Sequence, residues 1–240
     1  MLNLLISLAV GAVVTAGILL GTEFGWAAAI FPGLVALVAT YIVLLRRTSK
    51  QLQAVFDSVQ KDIQARRIEK AIATLRTSFG LARWQFLVGS QLHSYIGFLL
   101  YTQQDLDGAL PHLEKSFSRN WVSRVMLAAT HYKRKDLAGA RKVLEATARD
   151  NKKEGLVWAT YAWLLEKEGQ HDEAIAVLGR GTAASPGDEK LKAALQSLQN
   201  DKKLKLGKLY QEQWFQFMLE APPPQFAGPG FRGGKRALYR

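Results

Sequence analysis

Apolar residues form two long runs at the start of the chain, and mixed polar and apolar sequence follows. The runs, residues 2–20 and 26–45, each have about the ~20 residues that a helix needs to cross a bilayer. Glu23, in the short break between the runs, is the only charged side chain before Arg46. The pattern predicts a transmembrane helical hairpin over residues 1–45.

Basic residues indicate on which side of the membrane the rest of the chain lies. Arg46, Arg47 and Lys50 follow the second run, whereas the short turn contains neither lysine nor arginine. Because basic flanks stay in the cytoplasm, both termini are predicted there, as in an integral protein of a bacterial inner membrane. A cleaved signal peptide with one anchor is the competing interpretation. It is disfavoured because a basic n-region is missing and a second apolar run follows at once.

Small residues recur at four-residue spacing within both runs, which lets two helix backbones approach closely in lipid. The alternative is that glycine and alanine are simply common in such helices. The pairs are Ser7/Gly11, Gly17/Gly21 and Ala29/Gly33.

A second pattern, with a period of 34 residues, begins after the apolar runs. The clearest copy reads as a helix-turn-helix unit. Its first helix has an aromatic residue at Trp158 and a small crossing residue at Ala162, and the turn follows at Gly169. Its second helix has a small residue at Ala174, and the unit ends at Pro186. The segment resembles a tetratricopeptide repeat, the 34-residue member of the helical-repeat families.

Further copies precede this one. Ala140 lies 34 residues before Ala174, Ala109 lies 31 residues before Ala140, and a weaker copy covers residues 52–79. The resemblance implies an all-α fold: a two-helix transmembrane hairpin, then an α-solenoid of three to four helix pairs with C-terminal helices. The residues that the resemblance assigns to packing within and between repeats are Gly97, Ala109, Ala128, Ala140, Trp158, Ala162, Ala174 and Pro186.

After the hairpin, the predicted organisation has four parts. Residues 46–90 are a linker helix and a degenerate first repeat, and residues 91–187 are the repeats. Residues 188–220 are capping and amphipathic helices, because apolar residues there keep helical spacing. Residues 221–240 are a basic tail rich in proline and glycine, predicted to be disordered alone. The tail is either a docking peptide or a solvated terminus.

The first helix of each repeat is expected to line a concave face, and in this family that face usually holds a protein. An amphipathic helix or an extended apolar peptide is the predicted partner, because the lining is aromatic and apolar. The alternative is that several of these aromatic residues are core between repeats. The predicted groove residues are Tyr95, Phe98, Tyr101, Val125, Met126, Tyr132, Thr160 and Trp163.

The amphipathic segment 206–218 has three sensible positions: packed on the last repeat as a cap, folded into the groove, or lying in the membrane interface. We favour the cap, since terminal repeats need covering.

The net charge of +12 adds a predicted contact with lipid, because a basic cytoplasmic surface is attracted to anionic lipid headgroups. Specific nucleic-acid binding is disfavoured, since no recognition motif accompanies the charge. The residues predicted to lie at the membrane surface are Arg46, Arg47, Lys50, Lys202, Lys203, Lys205 and Lys208.

Candidate chemistry is sparse. The chain has no cysteine and four scattered histidines, so no metal site is predicted. It also lacks a phosphate-binding glycine loop and a nucleophile elbow. No enzyme activity, cofactor or small-molecule substrate is expected. The sequence therefore predicts a membrane-anchored adaptor or scaffold. The alternative is a structural or assembly subunit of a larger membrane complex, with the hairpin as its main contact.

Overall fold

The computed structural model describes residues 1–21 and 25–223. The middle of the predicted hairpin turn and most of the predicted disordered tail lie outside these residues. The described residues form helices and no strand, as the all-α prediction requires. The chain divides into two compact units, Met1–Phe117 and Ser118–Arg240.

The described residues of the first unit form five α-helices and one 3₁₀ helix. They are α1 (Leu2–Gly21), α2 (Trp26–Gln64), α3 (Ile68–Thr77), the 3₁₀ helix (Ser78–Arg83), α4 (Val88–Thr102) and α5 (Leu106–Glu114).

Helices α1 and α2 pack along each other through a stripe of polar and small residues. Asn3, Ser7 and Gly11 are the buried residues of α1. The Asn3 side-chain amide donates a hydrogen bond of 3.0 Å to the hydroxyl oxygen of Thr48. At Gly33, an added methyl carbon would lie 2.9 Å from the carbonyl oxygen of Gly11. Close backbone approach at these small residues therefore holds α1 and α2 together.

Two of the three predicted small-residue pairs lie in this contact. Ser7 and Gly11 are buried against α2, and Ala29 and Gly33 are buried on α2 itself. Gly17 and Gly21 are exposed, and nothing lies within 4 Å of a side chain built at either. The prediction was wrong for that pair, because α1 contacts α2 along the face that carries Asn3, Ser7 and Gly11.

The outer surface of the hairpin is apolar. In the most apolar part of each helix only 11% is buried, and Val13, Leu20 and Phe31 are 72%, 90% and 70% exposed. Both helices are long and apolar enough to span a bilayer. The large apolar side chains of this pair thus face away from the protein.

Helix α2 does not end with its apolar part. It runs unbroken for 39 residues, with Pro32 in its second turn, where a missing N–H costs little. Its C-terminal part packs on α3, so the weak copy at residues 52–79 is a helix pair that begins inside α2. The next pair is α4 and α5, where a side chain at Gly97 would meet the Leu113 side chain at 2.8 Å.

The second unit continues the same pattern of antiparallel pairs. Helix α6 pairs with α7, α8 pairs with α9, and α10 covers α8 and α9. Ala128, Ala140, Ala162 and Ala174 are buried in these pairs. The helices are α6 (Trp121–Lys133), α7 (Leu137–Asp150), α8 (Gly155–Lys167), α9 (His171–Ala184), α10 (Glu189–Gln199), α11 (Leu206–Tyr210) and α12 (Glu212–Phe215).

Side-chain caps fix where several of these helices begin. Asp136 accepts a hydrogen bond from the Gly139 N–H at 2.9 Å, and Asp188 accepts one from the Leu191 N–H at 3.0 Å. Each cap satisfies an N–H group that has no partner within its helix.

Candidate protein-binding surface

The predicted groove residues differ widely in exposure. Tyr95 is 44% exposed, and Phe98 and Tyr132 are half-buried. The others are buried, so a partner reaches them only if covering residues move; they are Tyr101, Val125, Met126, Thr160 and Trp163.

In the first unit, the exposed part of this surface includes a residue from α2. The Phe56 ring lies 4.4 Å from the Tyr95 ring, measured between centroids. Phe56 was not among the predicted groove residues. It lies in the weak repeat copy at residues 52–79, so that copy could have indicated it as part of this surface. The aromatic surface of α4 therefore continues onto the helix that also forms half of the hairpin.

In the second unit, a cluster of aromatic rings covers the corresponding positions. The Tyr132 and Trp163 rings lie edge to face with centroids 5.1 Å apart, and Trp163 and Trp214 follow at 5.3 Å. Trp121 and Phe217 form a further edge-to-face pair at 6.3 Å. Edge-to-face geometry is favourable because it brings the positive edge of one ring to the negative face of another.

Glu220 accepts hydrogen bonds from two rings of this cluster. Its carboxylate accepts a hydrogen bond of 3.0 Å from the Trp163 indole N–H and one of 2.9 Å from the Trp214 indole N–H. Bonds to a charged acceptor are the stronger kind of hydrogen bond. The acid thus satisfies both indole donors while the rings bury their apolar surface.

The C-terminal segment, residues 206–220, therefore combines two of the three predicted positions. Helix α11 packs on α8 and α10, as a cap does. Helix α12 and the residues after it lie on Trp163, a predicted groove residue. A bend at Gln211 separates the two parts, since its backbone lies in the left-handed region with φ of 50°.

A cavity of about 900 Å³ opens beside this segment. Lys167 lies at its edge, with the ammonium nitrogen 5.3 Å from the centroid of the Trp163 ring, a cation–π contact. The predicted membrane-surface residues Lys203, Lys205 and Lys208 also line the cavity. All seven predicted membrane-surface residues are exposed.

Two histidines that are distant in the sequence meet in the first unit. The Nδ1 atoms of His93 and His112 lie 2.9 Å apart. Burial lowers the pKa of both rings, and the charge of Lys115 lowers the pKa of each further. Both histidines are therefore mainly neutral at pH 7. The histidines are not all scattered as predicted, although no group of three or more metal-ligating side chains occurs in the described ranges.

The other two histidines lie at equivalent repeat turns. The ring of His171 is 2.7 Å from the carboxylate of Glu166, which raises the pKa of the histidine. The ring of His131 is 2.7 Å from the carboxylate of Asp136, at the other repeat turn. The Gly139 N–H, and after it His131, lower the pKa of Asp136. Each pair joins the end of one helix to the start of the next, which is a structural role.

Antiparallel helix pairs with small residues buried between them define this chain as a helical-repeat protein. Residues 155–198, which span α8 to α10, match the family model of the tetratricopeptide repeat. Residues 155–198 thus contain a tetratricopeptide repeat, a unit that commonly serves as a scaffold for protein interactions.

Several solved structures resemble the chain. A crystal structure of MamA protein has 13% sequence identity and a TM-score of 0.49, with 71% of this chain and 90% of that chain covered. MamA 41-end from Desulfovibrio magneticus RS-1 has 16% identity and a TM-score of 0.46, with 70% of this chain and 93% of that chain covered. No curated protein matches the sequence.

Proposed function

We propose that the protein is a membrane-anchored tetratricopeptide-repeat adaptor whose cytoplasmic repeats bind a protein partner. The observation that carries this proposal is the continuity of α2. One helix has an exposed apolar part that pairs with α1 and a C-terminal part that packs on α3. Because no linker intervenes, an anchor formed by the hairpin holds the first repeat at a fixed distance from the bilayer.

The orientation rests on the basic residues after the apolar part of α2. Arg46, Arg47 and Lys50 are exposed on α2 at the end of the second apolar run. Cationic flanks of this kind favour a cytoplasmic position and attract anionic headgroups. The repeats then lie on the cytoplasmic side.

The partner surface that we propose is centred on Tyr95 and Phe98 of α4, with Phe56 of α2 beside them. Tyr95 keeps nearly half of its surface open, whereas Trp163 is already covered by the C-terminal segment. Partly exposed aromatic rings are the residues on which interface energy usually concentrates. An amphipathic helix or apolar peptide of the partner would bury them.

The covered state of Trp163 also favours the second candidate function, a structural subunit of a membrane complex. In that case the repeats brace the hairpin, and the contact with other subunits lies on the open face of α1. Gly17 is exposed on that face.

Substitution of Tyr95 by glutamate separates the two candidates. In full-length protein purified in mild detergent, Tyr95→Glu is expected to weaken binding of the co-purifying partner by roughly 30-fold or more, the effect of losing ~2 kcal/mol at a central aromatic residue. Lys142→Glu, a charge change at an exposed position of α7, is the matched control and should leave binding unchanged.

Under the subunit hypothesis the result reverses: Gly17→Leu releases the co-purifying proteins and Tyr95→Glu does not. If both substitutions leave recovery unchanged while circular dichroism shows the native helix content, both functions are wrong.

A further inference from the structure

The segment between α3 and α4, residues 78–87, bonds to the first turn of α1. The Asn3 N–H donates a hydrogen bond of 3.1 Å to the carbonyl oxygen of Trp84, and the Met1 amino group donates one to the carbonyl oxygen of Arg83. The first N–H groups of a helix have no partner within that helix. A segment about 80 residues further along the chain satisfies them here.

This contact fixes the depth of the segment relative to the hairpin. Helix α1 has 20 residues and is therefore ~30 Å long, the thickness of the hydrocarbon core. Asn3 then lies at one boundary of that core, beside Thr48 of α2. Because Trp84 is in direct contact with Asn3, the segment lies at the same boundary, where the interfacial layer is ~5–7 Å thick.

The segment presents two large aromatic side chains that the protein covers only in part. Trp84 is 40% exposed and Phe86 is 65% exposed, whereas Val88, which begins α4, is buried. Leu87, between Phe86 and Val88, has a left-handed backbone with φ of 72°. This conformation turns the chain into α4. The described part of the first unit therefore offers two partly exposed aromatic residues, separated from each other by Gln85, at the level where α1 begins.

The charges around the segment match a lipid surface. Arg76 and Arg83 are exposed on α3 and on the 3₁₀ helix, and Arg46, Arg47 and Lys50 are exposed on the part of α2 that adjoins Thr48. Cations at this depth meet anionic headgroups and are attracted to them. Tryptophan is enriched at the same depth because its ring is apolar and its N–H is polar.

We propose that residues 78–87 form an interfacial element that inserts Trp84 and Phe86 into the headgroup layer of the cytoplasmic leaflet. The occupant of this surface is phospholipid. The inference rests on the proposed function, since it takes its depth from a hairpin that spans the bilayer. It adds a third membrane contact, distant in the sequence from the two spans, which would orient the first repeat as well as anchor it.

Fluorescent labels at single cysteines test the inference, because the chain has no cysteine of its own. The full-length protein is reconstituted in vesicles of phosphatidylcholine and phosphatidylglycerol. The labelled variants are Phe86→Cys, Val43→Cys as a reference on the exposed apolar part of α2, and Asp107→Cys as an exposed reference on α5. Quenchers are attached to lipids near the headgroup or deep in the acyl chain, and iodide is the aqueous quencher.

The expected result is several-fold stronger quenching of the residue 86 label by the shallow lipid quencher than by the deep one, with iodide quenching well below that at residue 107. If residue 43 is quenched by lipid but residue 86 behaves like residue 107, the hairpin stands and the interfacial element is wrong. A residue 86 label protected from lipid quenchers and iodide alike overturns it in favour of a protein contact. A residue 43 label that lipid does not quench contradicts the anchor itself.

Discussion

Substitution of Trp214 by alanine is expected to lower the free energy of unfolding of the second unit by about 3–5 kcal/mol, the usual cost of removing a large buried aromatic side chain. Trp214 is completely buried, contacts the Trp163 ring and donates a hydrogen bond to Glu220. Its loss leaves a cavity and removes one of the two donors to that carboxylate. Amide hydrogen exchange in α8 measures the change, since protection there reports the opening of this unit.

Gln213→Ala is the matched control, because Gln213 precedes Trp214 on α12 and is exposed. Its expected effect is within about 0.5 kcal/mol. Equal protection in Trp214→Ala and Gln213→Ala would mean that the C-terminal segment lies loosely on the repeats. Trp163 would then be available to a partner after all.

Substitution of Gly33 by leucine is expected to disrupt the contact between α1 and α2 in the hairpin. Gly33→Leu places a side chain against the Thr15 hydroxyl and the Gly11 carbonyl, so α1 and α2 cannot keep their present distance. Overpacking of a tight contact costs about 1–3 kcal/mol or more. A cysteine pair at Asn3 and Thr48, whose side chains are 3.0 Å apart, reports the contact by disulfide formation on oxidation.

We expect rapid oxidation of this pair in the otherwise native sequence and a loss of most of the disulfide when Gly33→Leu is added. Gly17→Leu, at an exposed position of α1, should leave oxidation unchanged. Efficient oxidation in the presence of Gly33→Leu would contradict the close approach of the two backbones.

The sequence predicts the features that depend on local pattern. The hairpin is readable because the bilayer fixes the length of an apolar helix, so residues 2–20 and 26–45 signal two spans without any knowledge of their contacts. The helix pairs are readable because helix crossings require a small residue, which recurs at Ala140 and Ala174 one period apart. Neither signal depends on distant parts of the chain.

Features that depend on long-range contacts were not predictable. Glu220 meets Trp163 across 57 residues, and the Trp84 carbonyl meets Asn3 across 81 residues. His93 and His112 face each other because α4 and α5 pair, although 19 residues separate them. Periodicity gave one amphipathic stretch over residues 206–218, whereas the left-handed backbone at Gln211 divides it.

The boundary between anchor and repeats is a similar case. The charge pattern changes at Arg46, yet the backbone of α2 continues to Gln64, because a change from apolar to charged side chains does not interrupt the backbone hydrogen bonds of a helix. The Phe56–Tyr95 contact follows from that continuity. Composition locates the end of the apolar part, and packing decides where the helix ends.

The central claim, a membrane-spanning hairpin with cytoplasmic repeats, is tested most directly by cysteine accessibility in the full-length protein expressed in bacteria. Single cysteines replace Thr22 in the predicted turn and Lys142 on α7, and a membrane-impermeant maleimide is added to spheroplasts before and after permeabilisation. The account predicts labelling of residue 22 in intact spheroplasts and of residue 142 only after permeabilisation. Labelling of residue 142 in intact spheroplasts, or extraction of the protein from membranes by alkaline carbonate, would contradict it.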